Sequence, residues 1–278
     1  MRGGFLVKLK YYGVRGSIPT PGLHTVKYGG NTPCVAIWNA DNLMILDGGT
    51  GLRVLGDDLM NTSFGRGQGE GTFLFSHLHW DHIQGFPFFK PAYIAGNLFK
   101  LYGPSHVDVT LEDAMRQQQQ YQNFPVLMED MPAAFTFTEL KEGQTLEVNG
   151  MEITNRRLNH PGGVFAYRIS SQGKSIVYAT DTEHDSVLDP KLLELADNAD
   201  ILIYDTTYTP EQYKDHVAWG HSTYKEGIKI AKAANVKALH LFHYDPSLSD
   251  ETIDAVLKKA RKDFPNTFGA QEGWEITL

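Results

Sequence analysis

A single cysteine, Cys34, stands in 278 residues, so no intrachain disulfide can form. The residue reads as a buried apolar side chain in a protein of a reducing cytoplasm. Long apolar runs are missing too. Nothing is continuous enough to span a bilayer, and Met1 to Lys10 lacks the apolar stretch of a signal peptide. Positive charge is scarce: 25 Lys and Arg against 33 Asp and Glu leave a formal charge of -8. That balance argues against a membrane partner or a nucleic acid polymer, both of which need a broad basic surface. No shift in composition marks a boundary, so residues 1–278 read as one domain with a sizeable core.

What the chain does have is histidine in one place. His77-Leu78-His79-Trp80-Asp81-His82 follows the apolar run Thr72 to Phe75. Burying imidazoles and a carboxylate at a strand end is costly unless something compensates, and a metal site does so. His77 and His79 are two apart and project to one side of a strand, while Asp81 and His82 follow at the turn. Three more candidates share that grammar of an apolar strand followed by a ligand type. His160 sits in Asn159-His160-Pro161-Gly162-Gly163, Asp181 in Ala179-Thr180-Asp181-Thr182, and His243 in Leu241-Phe242-His243-Tyr244-Asp245. Each is weak alone, since a lone histidine is more often a core or surface residue and a lone Asp a turn former. Their co-occurrence carries the reading. Ligands at strand ends can converge in one groove.

Around these positions the pattern predicts strands over 5–11, 34–38, 43–46, 98–102, 135–138, 144–148, 151–157, 164–170, 175–179 and 237–242, with another at the end of 196–204. Helices are expected over 52–60, 110–120 (capped by Thr110), 223–234 and 250–262 (capped by Asp250). The segment 110–132 reads as a surface helix and loop, with a lid as the alternative, and 270–278 ends strand-like. Strands come in runs with helices between, twice over. That suits two sheets face to face with helices outside, a four-layer αββα sandwich of the α/β class.

The ligand string, His-x-His-x-Asp-His followed by His, Asp and His, resembles the signature of the metallo-β-lactamase superfamily, and every position is filled. The resemblance implies two divalent metal ions, zinc first, with manganese or iron as alternatives. By the same resemblance His77, His79 and His160 hold one ion, Asp81, His82 and His243 the other, and Asp181 bridges them. Asp47, in Asp47-Gly48-Gly49-Thr50-Gly51, matches an early aspartate of the superfamily, expected to orient ligand histidines; a plain turn former is the alternative.

Gly220-His221-Ser222-Thr223 resembles the His-Ser-Thr motif of the ribonuclease Z and phosphodiesterase branch, in which the histidine assists catalysis. His221 is then the proton donor to the leaving oxygen. Ser222 and Thr223 would meet a phosphate at a helix start, and Tyr208 would contact the substrate, with rim packing as its alternative. The resemblance also implies a hydroxide held between two metals as nucleophile, with Asp81 orienting it, and a homodimer. Ribonuclease Z carries a tRNA-binding arm, in the bacterial forms between the positions of His160 and Asp181, where this chain has room for one hairpin only. The expected activity is therefore hydrolysis of small phosphodiesters, cyclic nucleotides first. A lactonase or thioesterase of the same fold and a ribonuclease Z-like endonuclease are the competing readings.

Overall fold

The computed structural model describes residues 7–104 and 109–278. Phe5 and Leu6, expected to begin the first strand, lie outside that range. Strand β1 (Val7–Gly13) pairs with β2 (Cys34–Asn39), which turns into β3 (Asn42–Leu46) through Ala40 and Asp41. Alternation in this hairpin decides the layers. Val35, Ile37, Met44 and Leu46 face one way, and Cys34, Ala36, Leu43 and Ile45 the other; all eight are buried. A sheet with two apolar faces must be covered on both.

The first side meets the second sheet, while the other is covered by α1 (Gly51–Leu59). The first sheet continues through β4 (Glu70–Leu74), β5 (Leu98–Pro104) and β6 (Ala134–Leu140). Between β4 and β5 lies the short helix α2 (Trp80–Ile83), and between β5 and β6 lies α3 (Leu111–Gln118). The second sheet begins with β7 (Thr145–Val148), β8 (Met151–Leu158), β9 (Val164–Ser171) and β10 (Lys174–Ala179), all antiparallel neighbours. After α4 (Pro190–Ala196) it continues in parallel with β11 (Ile201–Asp205). The short α5 (Pro210–Tyr213) and α6 (Tyr224–Ala233) lead to β12 (Ala238–Phe242). Then α7 (Asp250–Asp263) leads to β13 (Thr267–Gly269). Last, β14 (Glu275–Thr277) returns to the first sheet beside β1. The sheet orders are β14-β1-β2-β3-β4-β5-β6 and β13-β12-β11-β10-β9-β8-β7. With α4 on β8 and α6 and α7 on the β11–β13 side, the layers run αββα, as expected.

Some expectations needed correction. The cap of α7 is Ser249, whose hydroxyl accepts from Thr252 N, and not Asp250. Asp250 instead accepts the backbone N–H groups of Lys27 and Tyr28 and so ties the 13–30 loop to α7. Helix α4 was not anticipated, although Asp189-Pro190 is a ready N-cap and first turn. Within 110–132, Leu111, Met115, Met128 and Met131 are buried, so the segment packs as a surface helix and loop. No helix among the described residues is long and apolar enough to cross a membrane.

Candidate metal centre and active site

All seven proposed ligands leave the C-terminal end of a strand or the turn behind it. His77, His79, Asp81 and His82 follow β4, His160 follows β8, Asp181 follows β10 and His243 follows β12. The backbone makes a sharp exit at two of these strand ends and at the end of β3: Asp181, His243 and Asp47 all have positive φ, of 49°, 61° and 58°. Such values are uncommon outside glycine and persist only where surrounding contacts hold them. They turn each side chain back toward the sheet edge. Gly16 makes room for this, since a Cβ there would sit 2.4 Å from Cε1 of His243.

The side chains converge in two groups. His77 Nε2 lies 2.9 Å from His79 Nδ1, and His160 Nε2 lies 3.2 Å from the same atom. In the second group, Asp81 Oδ2 lies 3.3 Å from His82 Nε2 and 3.2 Å from His243 Nε2. Asp181 stands between them. Its Oδ1 is 3.2 Å from both His82 Nε2 and His243 Nε2, while its Oδ2 faces His77 Nε2 at 3.7 Å and His160 Nε2 at 3.9 Å. One carboxylate thus offers one oxygen to each group.

The far nitrogens show what this arrangement fits. His82 Nδ1 donates to Asp47 Oδ2 (2.8 Å) and His160 Nδ1 to the carbonyl of Gly220 (2.8 Å), and both partners can only accept. His77 Nδ1 meets Ser76 Oγ at 3.0 Å, and that hydroxyl gives its own proton to Asp47. His243 Nδ1 meets Thr207 Oγ1 at 2.9 Å, and that hydroxyl has Asp205 Oδ1 to donate to. With these four Nδ1 atoms carrying the proton, the neutral rings of His77, His82, His160 and His243 aim Nε2 lone pairs at carboxylate oxygens or at other nitrogens, while His79 turns its Nδ1 into the cluster. His82 Nε2 is buried without a hydrogen bond. Lone pairs so gathered repel unless positive charge lies among them. The carboxylates make this a place for positive charge: burial lowers the proton affinity of His82, but Asp181, Asp81 and Asp47 outweigh it and raise it well above an ordinary histidine, so that without a cation a proton takes the place of one at Nε2. His77 and His160, with burial dominant, are pulled down and stay neutral. The donor set fits divalent cations held by nitrogen and oxygen.

Asp47 is fully buried and holds this frame. Its carboxylate accepts from Ser76 N, Ser76 Oγ, Tyr178 Oη and His82 Nδ1. On the other flank, Ser17 N donates to Asp81 Oδ2 at 2.8 Å.

His221 stands over the cluster, its ring 5.1 Å from that of His243 and 5.4 Å from that of His160. Its Nδ1 bonds to Asp205 Oδ2 at 2.8 Å. Burial lowers its proton affinity, yet Asp205, with smaller help from Asp181 and Asp81, lifts the pKa to about 9. Ser222 and Thr223 are buried behind it rather than open to solvent. Ser222 Oγ is held by His184 Nδ1 (3.0 Å) and Tyr204 Oη (2.9 Å), and Thr223 caps α6 without a side-chain bond. Tyr208 is buried as well, stacked on His216 and edge-on to His221.

The sequence reading missed Asp205, although it ends a buried strand as the ligands do. It also missed Glu183, which accepts from Tyr213 Oη, Ala218 N and Gly220 N and so fixes the loop that carries Gly220 and His221. No local pattern marks Glu183, because its partners lie 30 to 37 residues away.

Comparison with known proteins matches this architecture. The family model described as a β-lactamase superfamily domain covers residues 70–244. The ribonuclease Z of Thermoplasma acidophilum is 25% identical over 98% of this chain and 96% of its own length. Among solved structures, the metallo-β-lactamase fold protein YhfI from Bacillus subtilis superposes with a TM-score of 0.73 at 20% identity, covering 99% of this chain and 100% of its own. A diphosphatase from the PhnP family does so at 0.67 and 17%, covering 98% of each. With the family model spanning more than half of its length, the chain belongs to the metallo-β-lactamase superfamily and is a metal-dependent hydrolase.

Proposed function

We propose that this chain is a dinuclear metal-dependent phosphodiesterase for small substrates, cyclic nucleotides first among them. The observation that carries the reading is the Asp205–His221 pair beside a donor cluster already complete without it. Metal binding needs no eighth titratable group with its own carboxylate, whereas expulsion of an alkoxide needs a proton donor. His79, His77 and His160 would hold one cation, and Asp81, His82 and His243 the other, with Asp181 shared. Bound cations, with zinc, manganese and iron all suited to this donor set, would supply an activated water and neutralise the phosphate oxygens. Asp81, anchored by Ser17 N, orients the attacking water. His221, with Nδ1 bonded to Asp205, keeps Nε2 for the leaving oxygen. Asp205 holds the ring in place and keeps it charged near neutral pH.

A second reading, a ribonuclease Z-like endonuclease, is favoured by the name of the Thermoplasma relative. Three features weigh against it. The alignment with that relative runs over 316 positions, more than the 278 residues available here, so the relative carries segments this chain lacks. Between His160 and Asp181 there is only the hairpin β9–β10, turned at Gln172 and Gly173. The formal charge of -8 also disfavours a polyanionic partner.

The test is a hydrolysis screen of metal-loaded protein. Bis(p-nitrophenyl) phosphate and 3′,5′- and 2′,3′-cyclic nucleotides would be set beside a precursor tRNA, a homoserine lactone and a thioester. Metal-dependent turnover of the cyclic nucleotides supports the reading. Turnover of the lactone or thioester alone, or of the precursor tRNA alone, overturns it.

A further inference from the structure

Beside the metal centre, on the His160 side, lies a cavity of about 380 Å³ lined by Asn159, His160, Glu183, His184, Tyr213 and neighbouring residues. His184 has no part in the metal cluster. It lies three residues beyond Asp181, half-buried, with its ring 4.2 Å from that of Tyr213. Its Nδ1 is bonded to Ser222 Oγ, and its Nε2 makes no hydrogen bond among the described residues.

The direction of the chain Tyr204–Ser222–His184 follows from accounting for protons. Tyr204 is buried, and its hydroxyl has Ser222 Oγ as its partner. If Ser222 donated to Tyr204, the phenolic proton would be buried without an acceptor, which costs about 1–3 kcal/mol. Tyr204 therefore donates to Ser222, and the buried Ser222 hydroxyl, whose one other side-chain partner among the described residues is His184 Nδ1, donates to that nitrogen. A nitrogen that accepts carries no proton, so the proton of a neutral ring sits on Nε2. Burial lowers the proton affinity of His184, which keeps the ring neutral.

We propose that His184 is a substrate-binding residue: a fixed Nε2–H donor that takes a hydrogen-bond acceptor, a sugar hydroxyl or base carbonyl, on the part of the substrate remote from the scissile phosphate. This rests on the phosphodiesterase reading and extends it. It also explains why Ser222 is buried: the serine reaches the substrate through His184. The close, tilted packing of Tyr213 against His184 and the anchoring of the tyrosine hydroxyl by Glu183 hold the ring's orientation.

The experiment compares wild type with His184→Phe, which keeps a ring on Tyr213 but has no donor. Both are assayed on 2′,3′-cyclic AMP and on bis(p-nitrophenyl) phosphate, which lacks sugar and base. The expected result is a KM for the cyclic nucleotide raised about tenfold or more, kcat and metal content within twofold, and unchanged kinetics on the small diester. An equal loss on both substrates, or no change on either, overturns the assignment. Wild-type protein that cleaves neither diester overturns the phosphodiesterase reading itself, and the substrate role of His184 with it. ¹⁵N NMR of histidine-labelled protein gives a second readout that does not depend on activity. The Nε2–H tautomer is expected at His184, and it should be lost or mixed in Ser222→Ala. A wild-type Nδ1–H tautomer overturns the proposal.

Discussion

A histidine that is to offer a lone pair needs its other nitrogen occupied, and here each of the partly or fully buried candidates meets that condition through a different group. Asp47, Ser76, Thr207 and the Gly220 carbonyl do that work. Asp181 is the position on which both groups depend, so Asp181→Ala should lose activity and bound metal together, as elemental analysis after desalting would show. His221 Nδ1 lies 4.0 Å from Asp181 Oδ2 but is taken by Asp205 at 2.8 Å. His221→Ala should therefore retain metal and lose roughly 10²–10⁴ in phosphodiester turnover, and full turnover in metal-replete protein would remove its role as acid. Asp205→Asn should cost less, roughly 10–100-fold, because the ring stays in place but holds its proton less firmly. The seven ligand types were legible because each lies in a short string after an apolar strand. Asp205, Glu183 and His184 were not, because their partners lie 16 to 38 residues away and meet only in three dimensions.

At the scale of elements, β4 shows how a strand positions chemistry. Phe73 is fully buried against Phe75, Phe86, Phe89 and Phe99, with ring centroids 5.6–6.0 Å apart. This aromatic cluster clamps both arms of the loop bearing His77 to His82. Phe73→Ala should cost about 3–5 kcal/mol, read as a lowered denaturant midpoint, with weaker metal retention as a second symptom. Most strands were legible from alternation and flanking turns. The short α2 and α5 were not, since four residues give no helical period to read. The last helix was found but its cap was misplaced by one residue, because Ser249 and Asp250 are both good caps and only the contact of Asp250 with the 13–30 loop separates them.

On the scale of the whole molecule, the two sheets share one interior, and a titratable group is buried near it. His240 on β12 accepts from Tyr11 Oη at 2.6 Å and stacks on Trp274, and burial pulls its pKa down to about 3. The unfolded chain takes up a proton near pH 6.5 that the folded protein refuses until about 3. Stability is therefore lost progressively as pH falls through that window, by up to a few kcal/mol. His240→Gln should flatten the dependence of Tm on pH between 7 and 4 relative to wild type, and parallel profiles would show that other groups set the acid limit. The four-layer architecture was readable from the sequence because strands come in runs with helices between, twice over. The return of the last strand was not, because nothing local says which sheet β14 joins. That return sets an order of events at the ribosome. β1 emerges first among the described strands but lacks its second neighbour until Glu275–Thr277 has been made, some 265 residues later. At about 5–20 residues per second, one edge of the nascent first sheet stays open for on the order of ten to fifty seconds, a window in which chaperone capture or mispairing competes with completion of the fold.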